Sequence, residues 1–236
     1  MGQRLIISEN EKNRIMEMYG FINEGAVVAL LNKASDKIAN SITNAVNGQV
    51  LPKVIPQINK NIKYSYSTEL WGETYSLSFN GSISGAKVGV GNLQFTSTEQ
   101  KQNIGFTYQC GLVGTFSSVA DIVGVKSNNT INFTGSVVRV SGNFDWEFDE
   151  EILERLQVTS ISLNVNIPET PLTYEDNGKN VEILKFSIKD NNTLYTTSED
   201  LGDKEFALPI NSEIANYIKS NPGILTFSGD QLKMYS

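Results

Sequence analysis

The chain has 236 residues, of which 39% are hydrophobic and 19% charged, and it carries a net charge of −7 with no histidine. This composition is typical of a globular protein, and the length fits one large all-β or α+β domain or two small ones. The absence of histidine excludes a Ser-His-Asp triad and a histidine-ligated zinc site, while the acidity and the lack of a Lys/Arg cluster argue against direct nucleic-acid binding.

A separate N-terminal module is predicted over residues 1–24. Ser8 and Glu11 have the spacing of a capping box, in which each side chain accepts a hydrogen bond from the free backbone N–H of the other residue. A short helix should therefore run from about Glu9 to Tyr19. It should end at Gly20, because glycine adopts the left-handed cap conformation at little cost.

A long helix is predicted over residues 26–47, where apolar side chains recur every three or four positions opposite a polar face. The stripe consists of Leu31, Ala34, Ile38, Ile42 and Ala45. Gly48 interrupts the pattern, which resumes over residues 50–62 with Pro52 and Pro56 inside it. Since each proline removes a backbone hydrogen bond, we expect a kinked or broken helical segment there.

From Tyr64 onward the hydrophobic period changes to two, which predicts antiparallel strands with one buried face. The alternating runs lie near residues 64–70, 75–84, 129–148, 161–167 and 184–188. Gly135 and Gly142 interrupt one long run, and glycines within a strand pattern indicate bends or bulges in a curved sheet.

The C-terminal part should contain a loop, a short helix and a last strand. Pro168, Pro171 and the tripeptide Asp176-Asn177-Gly178 predict a loop and turn over residues 168–180. A helix is predicted from about Ser212 to Ser220, and a strand over residues 224–228. With no clear linker after residue 25, residues 25–236 are interpreted as a single β-rich domain that begins with the long helix.

A run of acidic residues is the best candidate for chemistry. Asp145, Glu147 and Asp149 alternate along a strand, so their carboxylates would share one face about 7 Å apart, and further acids follow at Glu150, Glu151 and Glu154. Paired carboxylates at such a distance serve glycoside hydrolysis, and clustered oxygen ligands also suit calcium. A solvated strand end explains the same residues, and no EF-hand spacing follows. We therefore predict neither a metal site nor a cofactor.

The chain has a single cysteine and no run of 18 apolar residues, and no secretory signal is predicted. Cys110 has no histidine partner, so it is expected to be a small, semi-buried apolar residue rather than a nucleophile. The apolar run Leu5-Ile6-Ile7 is too short for a signal peptide. Since no stretch is long enough to span a bilayer, no transmembrane segment is predicted.

Residues 1–25 resemble the N-terminal leader of proteins of T-even-type tailed phages, especially marine ones. The resemblance rests on RLIISENEKNRIMEMYG at residues 4–20 and on the pentapeptide FINEG that follows. In that family the leader directs internal proteins into the immature head, and the head protease cuts after a glutamate preceded two places earlier by Leu or Ile. Ile22-Asn23-Glu24 before Gly25 fits this rule, so the resemblance implies processing between Glu24 and Gly25. Ile15-Met16-Glu17 fits the core of the rule as well.

Residues 26–167 are similar in pattern to the tubular lipid-binding superfamily, in which a curved sheet wraps a helix and leaves an apolar groove. The fold is therefore predicted to be α+β, with long N-terminal helices packed on a curved, mostly antiparallel β-sheet; a β-sandwich explains the pattern nearly as well. If the groove exists, its lining is predicted to consist of Val27, Leu31, Ile38, Ile42, Leu77, Phe79, Leu163 and Val165. Ordinary core packing explains the same residues.

These features predict a non-catalytic, phage-encoded structural or binding protein of the virion or head. Its partners would be other virion proteins, in the host cytoplasm during assembly and then in the particle, and a homo-oligomer is compatible with the sequence. Two alternatives stay open. One is a carrier that binds a lipid or another hydrophobic small molecule, and the other is a carbohydrate-active enzyme that uses the acidic residues from Asp145 to Glu154.

Overall fold

A computed structural model describes residues 35–70, 72–97, 103–145, 155–199, 202–223 and 225–228. These ranges are mainly β-strand, with helices α1 (residues 35–61) and α2 (Ile210–Ser220). The strands are β1 (Lys63–Leu70), β2 (Glu73–Val88), β3 (Asn92–Ser97), β4 (Asn103–Ile122), β5 (Val125–Asp145), β6 (Arg155–Asn164), β7 (Ile167–Asp176), β8 (Lys179–Lys189), β9 (Thr193–Thr197), β10 (Lys204–Ala207) and β11 (Thr226–Ser228). The N-terminal module predicted over residues 1–24 and the first part of the long helix lie outside the described residues.

Helix α1 changes its hydrogen-bonding pattern where the sequence predicts an irregularity. It is α-helical over residues 35–45, π-helical over Val46–Val50 and α-helical again over Leu51–Asn61. Gly48 therefore does not end the helix, because a wider π turn, closed by the Leu51 N–H on the Val46 carbonyl, keeps the backbone helical. Since this one segment precedes β1 in the described part of the chain, the expectation of several long N-terminal helices is not confirmed.

The strands are antiparallel, as the alternating pattern predicts, and they form two sheets that curl around a common core. Sheet A has the order β1-β2-β4-β5-β6-β11, with β3 paired to the first half of β4, and sheet B has the order β10-β9-β8-β7. The ring of Phe186 in sheet B lies 5.4 Å from that of Phe79 and 5.7 Å from that of Phe116, both in sheet A. The inner faces of the two sheets therefore pack directly against each other.

The two sheets also meet at two seams, one beside the first half of β5, which β6 leaves unpaired, and the other at β1. Between β5 and β7, the Ser127 hydroxyl donates a hydrogen bond of 2.7 Å to the carbonyl oxygen of Thr173. Between β1 and β10, the rings of Tyr64 and Phe206 stack with their centroids 4.1 Å apart. These contacts close the sheets around the phenylalanine rings without a continuous backbone ladder at either seam.

Part of the loop predicted over residues 168–180 is wrong, because β7 occupies Ile167–Asp176. The prolines are tolerated since the register with β8 shifts between Ile167 and Thr170, and since the backbone ladder of β7 runs on one side only. The predicted turn is confirmed: Asn177 and Gly178 have φ of +51° and +75°, the signs that a tight two-residue hairpin turn requires.

Two asparagines of α1 occupy the edge of β2 that β1 leaves open beyond Asn80. The Asn59 amide donates to the Ile83 carbonyl at 2.9 Å and accepts from the Ile83 N–H at 2.7 Å. Asn47 does the same for Val88, at 3.0 and 2.9 Å. Each side chain thus replaces a neighbouring strand, which satisfies the backbone of β2 and fixes α1 along its edge.

Candidate functional site

A groove of about 270 Å³ lies on the outer face of β3, β4 and β5. Its polar side chains are Asn92, Gln94, Thr107, Gln109, Arg139 and Ser141. The strand register arranges them in two rows, one of which runs from Asn92 through Gln109 to Arg139. Adjacent strands lie about 4.8 Å apart and successive outward residues about 6.7 Å apart, so the six side chains lie close together.

Arg139 supplies the positive charge of this groove. Its Nε donates a hydrogen bond of 3.2 Å to Oε1 of Gln109. Within the described residues, no carboxylate lies at ion-pair distance from the guanidinium, since the ion pairs found there belong to Lys185. The contact with Gln109 orients the guanidinium plane and leaves its two terminal amino groups for a partner from outside the described chain.

Tyr108 anchors the groove from the opposite face of β4. Its hydroxyl oxygen lies 2.6 Å from the hydroxyl of Thr43 in α1, and it accepts a hydrogen bond of 2.7 Å from the backbone N–H of Gly91. Burial raises the pKa of the Tyr108 phenol above its ordinary value, so the group stays protonated at neutral pH. The tyrosine thereby holds the turn before β3 and the helix against one strand, which fixes the position of Asn92.

A second cleft, of about 150 Å³, lies on the outer face of sheet B and is strongly charged. Its cations already have partners within the protein. Lys185 lies 3.7 Å from Glu169, while the amino groups of Lys189 and Lys204 lie 5.0 and 4.8 Å from tyrosine ring centroids. Because the charges are balanced within the cleft, it offers less to a charged ligand than the groove around Arg139 does.

The residues predicted to line an apolar groove are part of the core where the structure describes them. Ile38, Ile42, Leu77, Phe79, Leu163 and Val165 are all at least 96% buried in one hydrophobic cluster, and they line neither of the two clefts above. Val27 and Leu31 lie outside the described residues. This packing supports the interpretation of the six as ordinary core residues.

The other predicted sites fall mostly on undescribed parts of the chain. Glu24 and Gly25 lie there, as do Glu147 and Asp149, and the structure describes only the backbone of Asp145. Among the described residues no three Asp, Glu, Cys or His side chains are close enough to hold a metal ion. The described helices include none that is both long and apolar enough to cross a membrane.

Cys110 is buried among the core side chains of β4, as predicted. Its Sγ lies 3.8 Å from the carbonyl oxygen of Val138. Burial raises the pKa of the thiol to about 11, an effect that a hydrogen bond with Tyr108 partly offsets. The thiol is therefore protonated and shielded at neutral pH, which is the opposite of what nucleophilic catalysis needs.

We expect the native protein to react with a thiol reagent such as dithionitrobenzoate at pH 8 only after unfolding.

Because the pKa of Cys110 is higher in the folded chain than in the unfolded one, the contribution of this thiol to the stability of the fold is complete below pH 9. It should be lost as the pH rises toward 11. Urea unfolding of the wild type and of Cys110→Ala at pH 8 and pH 11 checks this. The free-energy difference between the two chains should fall, and a constant difference would contradict a raised pKa.

Sequence reasoning did not identify the groove, although each of its strands shows the alternation. Gln109 and Arg139 lie 30 residues apart, and only the register between β4 and β5 brings them together. The signal in the sequence was a lone arginine among uncharged polar residues on outward positions, which by itself does not name its neighbours.

Comparison of the chain with protein-family models, with curated protein sequences and with solved structures found no match.

Proposed function

We propose that the chain is a non-catalytic structural or binding protein of a tailed-phage particle, and that residues 1–24 direct it into the assembling head. The observation that carries the phage assignment is the leader-like sequence of residues 4–25, with Glu24 at the position after which a head protease would cut. The groove and the outer faces of the body support the non-catalytic part of the proposal.

The groove around Arg139 combines one guanidinium with amides and hydroxyls. Among the described residues that line it, none supplies a carboxylate, a thiol or a second cation that could act as the acid, base or nucleophile of a reaction. The charged cleft on sheet B has acids and bases, but they neutralise each other at exposed positions. Neither arrangement has the buried, unevenly charged environment that tunes a group for proton transfer.

Another part of the outer face of sheet A consists of short, uncharged polar side chains that bond to each other. The Thr115 hydroxyl donates a hydrogen bond of 3.0 Å to Oδ1 of Asn132, and the hydroxyls of Ser117 and Thr130 lie 3.3 Å apart. Charged residues are depleted at the centres of protein–protein interfaces, because they are costly to remove from water. A face of this composition therefore suits contact with neighbouring proteins in an assembly.

A carrier for a lipid or another hydrophobic ligand is the alternative that the helix supports. The buried apolar side chains of α1, among them Ile38 and Ile42, belong to the same cluster as those of the strands, and a helix packed on strands is also what the pattern of the tubular lipid-binding superfamily implies. The described members of the predicted groove lining are buried in one cluster with Phe106 and Phe116, which leaves ordinary core packing as the simpler explanation. A carrier is therefore the less favoured of the two functions.

Processing of the leader tests the proposal directly. Mass spectrometry of the protein from mature particles should find an N-terminus at Gly25, and Glu24→Ala should block this cleavage. Glu17→Ala is the matched control, since Ile15-Met16-Glu17 also fits the core of the rule but does not lie at the end of the leader. The control chain should be processed normally. An intact Met1 in mature particles, or cleavage before Gly25 in Glu24→Ala, would contradict the proposed role of residues 1–24.

A further inference from the structure

We propose that the groove over β3, β4 and β5 binds an acidic sugar, whose carboxylate pairs with the guanidinium of Arg139. This goes beyond the proposed role in a phage particle and does not depend on it, because it follows from the groove alone. The ligand class is set by three features: the unpaired charge, the surrounding amides and hydroxyls, and the size of the groove.

The charge of the groove differs from that of the whole chain. The protein has a net charge of −7, yet no described carboxylate approaches Arg139 within ion-pair distance. Gln109 takes the Nε hydrogen bond, so the terminal amino groups can present parallel N–H donors to a single planar acceptor. A carboxylate can accept two parallel hydrogen bonds from these N–H groups, whereas an anion that acts as a point charge does not use the planar geometry of the guanidinium.

The neighbours of Arg139 provide the polar groups that a sugar ring needs. Asn92 and Gln94 each offer an amide donor and a carbonyl acceptor, Gln109 offers its amide donor beside the carbonyl that Arg139 engages, and Thr107 and Ser141 add hydroxyls. Neighbouring side chains are one strand or one outward position apart, about 5–7 Å, so they can reach hydroxyls on opposite sides of a pyranose ring. An acidic sugar therefore meets one charged and several neutral partners at once.

The groove is less suited to a phosphate group or to a long acidic segment. Its floor is a β-ladder whose backbone N–H groups are engaged in strand pairing, so it offers no nest of free amides to a phosphate. With one cation, it balances a single carboxylate. Its volume of about 270 Å³ is near the lower limit of small-ligand sites, which suits one or two sugar rings.

Titration calorimetry of the full chain at neutral pH and low salt tests this. The acidic probes are digalacturonate and 3′-sialyllactose, which separate uronic from sialic acids. Their neutral controls are the methyl ester of digalacturonate and lactose, and diglutamate tests for an acidic peptide. We expect at least one acidic sugar to bind at millimolar concentration or below, and its neutral control and the peptide to bind at least about tenfold more weakly.

Variants of the groove sharpen the test. Arg139→Gln should weaken binding of the acidic sugar at least about tenfold, and Arg139→Lys should give an intermediate loss, because lysine keeps the charge but not the fork. Lys126→Gln is the matched control, since it removes one exposed positive charge from β5 at a site far from the groove, and it should bind as the wild type does. Unchanged thermal unfolding verifies that each variant is folded.

Four results would overturn the inference. They are the absence of binding by both acidic sugars at millimolar concentration, equal binding of an acidic sugar and its neutral control, equal binding of diglutamate, and an Arg139→Gln variant that binds like Lys126→Gln. Each of them leaves the processing of residues 1–24 unaffected, so failure of the sugar site and failure of the phage assignment are distinguishable.

Discussion

Replacing Asn192 by alanine should lower the free energy of unfolding by about 3–5 kcal/mol, because this buried side chain completes the edge of β6. Its Nδ2 donates to the Leu163 carbonyl and its Oδ1 accepts from the Val165 N–H, both at 2.8 Å. Asn192 is 1% exposed, so water cannot replace the lost partners, and each orphaned buried group costs about 1–3 kcal/mol. The backbone of Asn192, with φ of +67°, adds about 1 kcal/mol against alanine.

Asn191 is the matched control for the backbone contribution. It has φ of +61° in the same turn and its side chain is exposed. Asn191→Ala should therefore cost only about 1 kcal/mol, the penalty of a left-handed alanine. Urea unfolding of both variants gives the comparison. Equal losses would mean that the amide contacts of Asn192 contribute nothing, which would contradict the proposed edge completion.

An aspartate at the same position distinguishes the contributions of the two hydrogen bonds to stability. Asn192→Asp keeps an acceptor for the Val165 N–H but places a second carboxylate oxygen against the Leu163 carbonyl oxygen. The introduced group should have a raised pKa, since burial and the carbonyl both disfavour its charge. Its destabilisation should therefore be greatest at neutral pH and should diminish as the pH falls and the carboxyl becomes a donor.

The sequence predicted those parts of the fold that depend on local backbone conformation. Asn177-Gly178 was identified as a turn, because few other residues accept positive φ at consecutive positions. Gly135 and Gly142 were predicted to mark bends, and the β4–β5 and β5–β6 registers shift beside them. The burial of Ile38 and Ile42 followed from their helical spacing.

The remaining features depend on which strands become neighbours. A period of two places Gln109 and Arg139 on outward positions, but it does not determine the register between their strands. A slip of one residue would turn a strand's outward side chains to the other face of the sheet. Asn47, Asn59 and Asn192 were not identified, because a polar residue in a helix or turn usually faces solvent. Their role is set by the distant edges that they meet, at residues 83, 88 and 163–165. The strand β7 was missed because its prolines are typical of loops.

Gly142→Ala should destabilise the chain by about 3 kcal/mol or more, because no space exists for a methyl group between β4, β5 and β6. An added Cβ would overlap the backbone oxygen of Gln157 and would lie 2.5 and 2.6 Å from ring carbons of Phe106. The oxygen belongs to the paired strand and the ring is 1% exposed, so neither can move aside cheaply. Overpacking of a well-packed core costs about 1–3 kcal/mol, and a backbone clash adds to that cost.

Gly111→Ala is the control on the neighbouring strand, since nothing lies within 4 Å of the Cβ that it would add. It should change the free energy of unfolding by less than about 1 kcal/mol, as measured in urea. The double variant Gly142→Ala/Phe106→Leu then divides the clash into its two parts, because leucine relieves the ring contact but not the contact with the Gln157 oxygen. If Gly142→Ala is as stable as Gly111→Ala, the β5–β6 register at this bulge is not the one described.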